Sequence, residues 1–284
     1  MGILGEGGVI LKNFKSIDWL KDNIDREDLI IFDVRHALDD ENYGKEAYKK
    51  DHIPNAIFIP LEETLTGEVK EHGGRHPLPD MEEFAQNMND FGLDDESIVV
   101  AYDQGNLAMA GRLWWMLRYI GFKEAYVLLG GYDTWESKNY PVNDHKPNIR
   151  KGNKLSVNIQ EDLIIDMDDV KRTISKDNQI LVDSRTSERY KGEVEPMDRI
   201  PGHIPGAINL PWTELVDDKF EPEEIKEHFK GLDDYDKLVV HCGSGITATA
   251  NIMFMEEVDL QPVLYLGGYS DWVSYHENEV IKEN

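Results

Sequence analysis

The stretch LVVHCGSGITA, residues 238–248, contains the pattern from which the fold of this 284-residue chain is predicted. The apolar run at 238–240 is typical of a buried strand, and a Gly-Ser-Gly turn follows it closely. From Thr247 onward, apolar residues recur at the spacing of a helix. A strand, a tight loop and a helix in this order indicate an α/β fold.

The same loop carries Cys242, the only cysteine of the sequence. The first amides of a helix have no intrahelical partners, so they favour an anion in the loop and a reactive thiolate at this position. A buried and inert cysteine is the alternative. A single cysteine excludes an intrachain disulfide and is typical of a reducing compartment, so we expect a cytoplasmic location.

Composition limits the partners. The formal net charge of −26 argues against nucleic acid and against anionic membrane surfaces. The sequence has neither a signal-peptide pattern nor an apolar stretch long enough to span a membrane, so we expect no membrane association. If the substrate is a small anion, its site needs positive side chains that offset the charge of the whole protein.

Four blocks of sequence occur twice in the same order. They are LIIFDVR at 29–35 and QILVDSR at 179–185, DHIPNAI at 51–57 and GHIPGAI at 202–208, SIVVAY at 97–102 and KLVVH at 237–241, and YVLLGGYDTW at 126–135 and VLYLGGYSDW at 263–272. This order indicates a duplicated unit. Because short apolar strands alternate with helical patterns in each copy, we predict two α/β domains, each a parallel sheet flanked by helices. A polar linker places the boundary near residue 145, with a first domain at 1–145 and a second at 146–284.

Two loops, at 65–79 and 190–200, are longer than simple connections need. Long loops in compact domains are often functional, so we predict that both border a cleft between the copies. The first loop carries Arg75 and His76, which have no equivalent in the second copy and are therefore candidates for a functional role.

The paired His-Ile-Pro blocks, the Asp-x-Arg strand ends, the strand–cysteine–loop–helix and the terminal Leu-Gly-Gly-Tyr-x-x-Trp together resemble the tandem-domain rhodanese family of sulfurtransferases. The resemblance extends over residues 9–280. It implies two rhodanese-like domains, of which only the second carries the catalytic cysteine. Asp103 stands at the cysteine's position in the first copy, so that copy is expected to be catalytically silent.

Cysteine phosphatases use a similar loop, but they need an arginine at the sixth position after the nucleophile to bind phosphate. Ala248 stands at that position here, and no other basic residue follows in the helix to replace it. We therefore expect no phosphatase chemistry.

Within the rhodanese family, thiosulfate-specific members usually carry a basic pair in this loop, and members that act on 3-mercaptopyruvate usually carry Cys-Gly-Ser-Gly. The sequence Cys242-Gly243-Ser244-Gly245 resembles the second group, with thiosulfate as the alternative donor. By the same resemblance, Arg189 binds the donor's carboxylate. The family's second carboxylate-binding arginine follows a Glu-Pro pair, but here Met197 follows that pair and Arg199 is the candidate substitute.

The resemblance implies that Cys242 takes a sulfur from a small anionic donor and holds it as a persulfide, without a metal or an organic cofactor. The acceptor is a thiol, cyanide or a redox protein. Ser244 is the second catalytic candidate, because its hydroxyl can pass a proton to the departing enolate, although turning the loop is an equal alternative. The predicted substrate-binding residues are Arg189, Arg185, Arg199, Arg75 and His52, with the loop residues Gly243, Gly245, Ile246 and Thr247.

Other interpretations stay open at this stage. His52 has an equivalent in His203, which favours a shared structural role over a role as a relay in the site. Arg185 shares this ambiguity with Arg35. His241 precedes the cysteine, but adjacent strand residues face opposite ways, so it is expected to point away. The competing functional class is a rhodanese-like module that carries persulfide to a protein partner without turnover.

Overall fold

The computed structural model describes residues 3–4, 10–37, 40–216 and 222–283. Their contacts form two compact units. The first unit holds residues 3–67 and 78–160, and the second holds residues 68–77, 161–216 and 222–283. The domain boundary near residue 145 stays a prediction.

The first unit is built on a parallel sheet. Among the described residues, five strands pair in the order β3-β7-β6-β4-β5. A separate antiparallel pair joins β1 and β2. The bounds are β1 Ile3–Leu4, β2 Ile10–Leu11, β3 Phe14–Lys15, α1 Ile17–Asn23, β4 Leu29–Asp33, α2 Tyr43–Lys50, β5 Ala56–Phe58, α3 Met81–Asp90, β6 Ile98–Tyr102, α4 Ala108–Tyr119, β7 Ala125–Leu128 and α5 Gly131–Ser137.

The second unit repeats this sheet. Within its described part, five parallel strands pair in the order β8-β12-β11-β9-β10, which is the order of the first unit. The bounds are β8 Ile164–Ile165, α6 Met167–Thr173, β9 Gln179–Asp183, α7 Ser187–Lys191, β10 Ala207–Asn209, α8 Pro222–His228, β11 Lys237–His241, α9 Ala248–Glu257, β12 Pro262–Tyr265 and α10 Gly268–Trp272. The predicted fold, two α/β units with parallel sheets, is confirmed.

The tryptophan that ends each Leu-Gly-Gly-Tyr-x-x-Trp block anchors a core. Trp135 is fully buried in the core of the first unit, and Trp272 is buried in that of the second. Each indole N–H donates to a backbone carbonyl, from Trp135 to Pro141 at 2.9 Å and from Trp272 to Glu279 at 2.8 Å. The motif recurs because each core contains the same large side chain. A buried indole N–H needs an acceptor, and the backbone carbonyl supplies it.

The Asp-x-Arg pairs close the corner after β4 and β9. The guanidinium of Arg35 donates to Asp33 at 2.7 Å and to the carbonyl of Asp51 at 2.6 Å. Arg185 donates to Asp183 at 2.6 Å in the same way. Both pairs are buried, and they hold the loop at the carboxyl end of the strand that precedes it.

The two histidines of the His-Ile-Pro blocks have matching surroundings. The ring of His52 stacks on Tyr48 at 3.9 Å, and its Nδ1 lies 2.8 Å from the carbonyl of Tyr48. The ring of His203 stacks on Tyr190 at 3.8 Å, with its Nδ1 2.9 Å from the carbonyl of Tyr190. These contacts agree with the shared structural role considered from the sequence.

Asp103 follows β6 directly, and its carboxylate closes the loop before α4. One oxygen accepts the amides of Gly105 at 2.9 Å and Leu107 at 3.1 Å. The other accepts those of Met109 at 3.1 Å and Ala110 at 3.2 Å. The start of a helix leaves such amides without intrahelical partners. The loop after β6 is therefore an anion site, and the fold fills it with its own carboxylate.

Replacing Asp103 with alanine removes the acceptor of four amides, of which three are buried and that of Gly105 is partly buried. Because an unsatisfied buried donor costs about 1–3 kcal/mol, we expect Asp103→Ala to lower the free energy of unfolding by about 3 kcal/mol or more. Chemical denaturation followed by circular dichroism measures this change. The exposed Asp22 of the same unit supplies the control, since Asp22→Ala should change stability by less than about 0.5 kcal/mol. Equal stability of Asp103→Ala and the parent would contradict the role assigned to the carboxylate.

Candidate active site

Cys242 lies at the carboxyl end of the central strand of its sheet. His241, the last residue of β11, pairs with Asp183 at the end of β9, and Cys242 is the next residue. Its side chain is buried, and α9 begins at Ala248 after a short loop. The carboxyl ends of parallel strands are where open α/β sheets bind their ligands.

The loop after Cys242 is held by the Gly-Gly-Tyr block. Tyr269 N donates to the carbonyl of Cys242 at 2.8 Å, and Ser270 N donates to that of Gly243 at 2.8 Å. Gly268 has φ +61°, and a Cβ there would lie 2.6 Å from the Cys242 carbonyl oxygen. Only glycine permits this approach, so the second glycine of the block allows the cysteine loop to pack directly against the backbone at the start of α10.

The loop itself is tightly packed. Gly245 has φ +76°, and a Cβ there would lie 2.4 Å from the carbonyl oxygen of Leu266. The carbonyl of the buried Ile246 accepts the amide of Thr249 at 3.1 Å, and that of Thr247 accepts the amide of Ala250 at 3.2 Å. These bonds lead directly into α9.

Residues 68–77 belong to the second unit. The ring of His72 stacks on Tyr275 at 3.9 Å. Gly73 N donates to Asp271 at 2.7 Å, and Arg75 N donates to the hydroxyl of Ser270 at 3.2 Å. These contacts fix the segment on α10 and bring its end to the cysteine loop.

His76 contacts the loop through Ser244. Its Nδ1 lies 2.7 Å from the hydroxyl oxygen of Ser244, which is only 6% exposed. A histidine beside a serine hydroxyl, two residues from a cysteine, can give or take a proton at this place. The sequence singled out both residues without indicating that they meet.

Two guanidinium groups lie beside Gly243. A Cβ on Gly243 would lie 2.9 Å from Nη2 of Arg75 and 3.4 Å from both terminal nitrogens of Arg189. Nε of Arg75 is buried and has no hydrogen-bond partner among the residues that the structure describes. The residue next to the cysteine thus faces two cations that are far apart in sequence.

Buried carboxylates hold these arginines. Arg189 donates to Glu195 at 2.7 Å and to Asp198 at 3.0 Å. Arg75 forms an ion pair with the same Asp198. Arg185 reaches Glu195 at 3.1 Å. These five groups and Asp183 make up what we call the arginine–carboxylate cluster. Its six members are Arg75, Arg185, Arg189, Asp183, Glu195 and Asp198.

Burial affects the two loop carboxylates differently. Burial alone raises the pKa of Glu195, but the hydrogen bond and the charge of Arg189 and the amides of Met197 and Asp198 outweigh it and lower that pKa. For Asp198, burial dominates and raises the pKa, although the charges of Arg75 and Arg189 oppose it. Asp198 is therefore the less stabilised anion of the two.

Three predicted substrate-binding residues make other contacts. Arg199 donates to the carbonyl of Val273 at 2.8 Å, and its Nη1 lies 3.1 Å from His276. Arg185 is buried, with its guanidinium 3.8 Å from the ring of Tyr269. His52 belongs to the first unit. Their roles in substrate binding stay predictions.

His241 is fully buried beside the cysteine. Its Nδ1 lies 3.0 Å from the carbonyl oxygen of Cys242, and its Nε2 lies 3.8 Å from a carboxylate oxygen of Asp183. Burial lowers the pKa of His241 more than the charge of Asp183 raises it. The ring is therefore neutral at neutral pH and faces the backbone of the loop.

The sequence interpretation did not identify Asp198 as a site residue. Nothing local in the sequence indicates its role, because its partner Arg75 is 123 positions away. No group of three or more metal-ligating side chains occurs in the part of the chain that the structure describes. The helices within that part include none that is long and apolar enough to cross a membrane.

The chain is similar to several known proteins over most of its length. The probable 3-mercaptopyruvate sulfurtransferase of Pseudomonas aeruginosa is 36% identical over 256 residues, which cover 87% of this chain and 90% of that protein. The putative thiosulfate sulfurtransferase SseB of Mycobacterium tuberculosis is 32% identical over 254 residues, covering 86% and 87%. A crystal structure of SseA from Escherichia coli, described as a 3-mercaptopyruvate sulfotransferase, is similar to this chain with a TM-score of 0.79 and 31% identity. The match covers 90% of this chain and 98% of that one.

These relatives confirm the sulfurtransferase family predicted from the sequence. A profile of the rhodanese-like domain matches residues 16–138 and again residues 166–275, one match for each copy of the repeat. The chain belongs to the rhodanese-like domain family.

Proposed function

We propose that this protein transfers sulfur from 3-mercaptopyruvate, through a persulfide on Cys242, to a thiol or cyanide. The observation that carries the proposal is the pair of guanidinium groups, of Arg75 and Arg189, beside Gly243. Their N–H groups can donate hydrogen bonds to the carboxylate of a donor next to the only cysteine. The names of the relatives from P. aeruginosa and E. coli support this donor.

In the first step, the thiolate of Cys242 attacks the sulfur of the donor. A sulfur–sulfur bond forms, the carbon–sulfur bond of the donor breaks, and its electron pair leaves with pyruvate as the enolate. In the second step, the acceptor attacks the outer sulfur and returns Cys242 to the thiolate. The residues of the chain suffice for these steps, without a metal or an organic cofactor.

Comparison with the equivalent loop of the first unit supports an anion site at the cysteine. Asp103 occupies the equivalent position after β6, and four backbone amides bind its carboxylate. The loop at 243–247 and the first turn of α9 follow β11 in the same way. Their amides would stabilise the thiolate and the outer sulfur of the persulfide.

Ser244 and His76 would supply the proton that the pyruvate enolate needs. Their side chains are already within 2.7 Å of each other, so a proton can pass from the imidazole through the hydroxyl to the donor carbon. The thiol that this cycle regenerates requires a reducing compartment, which supports the cytoplasm as its location.

Thiosulfate is the second candidate donor. The loop lacks the basic pair of thiosulfate-specific members, but Arg75 joins Arg189 beside Gly243 and supplies a second positive charge from elsewhere in the chain. The relative from M. tuberculosis carries a thiosulfate name. The ratio of kcat/KM for the two donors, measured with cyanide as acceptor, decides between them, and turnover itself distinguishes an enzyme from a persulfide carrier.

Cys242→Ser should abolish turnover with either donor, because a serine hydroxyl cannot form a persulfide. Thiocyanate production measures turnover, and mass spectrometry of the parent protein after donor treatment should show a gain of one sulfur that the variant lacks. Asp177→Asn, a substitution at an exposed residue of the same unit, should keep the parent rate and serves as the control. Turnover of Cys242→Ser at the parent rate would overturn the mechanism.

Arg189→Lys keeps the charge but loses the planar fork that binds a carboxylate through two hydrogen bonds. We expect the KM for 3-mercaptopyruvate to rise about tenfold, equal to about 1.4 kcal/mol of lost binding, and the KM for thiosulfate to rise by less. Initial rates over a range of donor concentrations give both values. Equal increases for the two donors would show that Arg189 acts by charge alone.

Ser244→Ala and His76→Gln should each lower kcat for 3-mercaptopyruvate by about a hundredfold, since proton transfer by a positioned group contributes on this order. Because both residues serve one proton path, the double variant should be no slower than the slower single variant. Multiplying effects in the double variant would mean that the two side chains act separately.

A further inference from the structure

We propose that Asp198 selects the donor by charge: its carboxylate contacts both guanidinium groups beside the cysteine loop and thereby favours a singly charged donor over a doubly charged one. This inference rests on the proposed function. It assigns a role to a residue outside the cysteine loop at 243–247 and outside the motifs that carry the rhodanese resemblance.

Asp198 contacts the two arginines that matter for the donor. It accepts from Arg189 at 3.0 Å and forms the ion pair with Arg75. These are the guanidinium groups that lie beside Gly243. The Asp198 side chain is only 3% exposed, so water and salt screen its charge weakly.

The other two carboxylates of the cluster both contact Arg185. Asp183 is engaged by Arg185, which also donates to the carbonyl of Gly202 at 2.7 Å. Glu195 accepts from Nε and Nη2 of Arg189, on the side of the guanidinium that joins it to Arg185. Asp198 is therefore the carboxylate that offsets the positive charge of Arg75, and it does so next to the loop.

The charges of the cluster decide which anion fits. Its three arginines and three carboxylates sum to zero, so an incoming donor adds its whole charge to a group without net charge, in which the carboxylates are buried and Arg75 and Arg189 are partly exposed. Removing the donor from water costs free energy that rises with its charge, so this cost is larger for thiosulfate than for the single carboxylate of 3-mercaptopyruvate. Without the charge of Asp198 the cluster would be positive by one and would accept the second charge more easily.

Asp198→Asn tests this, because the amide keeps the size of the side chain and removes the charge. Coulomb energies scale with the product of the charges, so the change in binding free energy should be twice as large for the doubly charged donor. We expect kcat/KM to rise about fivefold for 3-mercaptopyruvate and by about the square of that factor, roughly 25-fold, for thiosulfate. Both are measured at about pH 7 and at constant ionic strength.

Two variants serve as controls. Asp198→Glu keeps the negative charge, so the ratio between the two donors should stay within about twofold of the parent value. Asp177→Asn removes one charge from an exposed residue of the same unit, and it should leave the ratio unchanged because exposed charges are screened. If Asp198 only positions the two arginines, Asp198→Asn should instead lower kcat/KM by the same factor for both donors. That result would overturn the proposal.

A binding measurement separates this inference from the proposed function. Titration calorimetry with pyruvate and with sulfate, which carry one and two charges, needs no turnover. The factor by which Asp198→Asn increases the affinity for sulfate should be about the square of the factor for pyruvate. That shift in a protein without turnover would overturn the proposed function and keep the role of Asp198, whereas turnover without a shift would overturn the role of Asp198 alone.

Discussion

The bond between Arg185 and Asp183 is the constraint on which the site of the second unit depends. Both side chains are almost fully buried, and the same guanidinium donates to the carbonyl of Gly202 and to Glu195. It therefore ties the end of β9 to the loop that follows α7. Removing one partner of such a buried pair typically costs about 3–5 kcal/mol, because the other charge is left uncompensated. The first unit uses the same pair, Arg35 with Asp33, only to close a corner.

Glu195 connects this structural pair to the candidate site. It accepts from Arg185 and from Arg189, and its position is fixed further by the amides of Met197 and Asp198. Arg189 is thus held by a carboxylate that is itself held by the fold. Under the proposed function, a guanidinium that is oriented before the donor arrives loses little freedom on binding, so its hydrogen bonds contribute more fully to affinity. The six groups of the arginine–carboxylate cluster consequently serve the fold and the site together.

The repeat predicted the two sheets, and their strand order is the same, because each strand block keeps its apolar pattern and each corner keeps its Asp-x-Arg pair. The position of Cys242 at a strand end also followed from local pattern. The meeting of Arg75 with Asp198 did not, since both lie in loops without periodicity, 123 positions apart. Arg199 is the predicted substitute for the second carboxylate-binding arginine because it lies near the Glu-Pro pair in sequence, and this role stays a prediction. In the structure its guanidinium donates to the carbonyl of Val273, a direction that loop sequence does not encode.

The two copies differ in how they use the loop after the central strand. In the first copy, Asp103 supplies two oxygens that accept four amides, so the anion site is satisfied by the fold and has no capacity left for a substrate. In the second copy, Cys242 stands at that position, and sulfur is a weak acceptor. Under the proposed mechanism, the amides of this loop stabilise the charge that develops during the reaction. Stability and chemistry therefore compete for the same donors. Duplication resolves this competition, since one copy keeps the carboxylate and the other keeps the thiol.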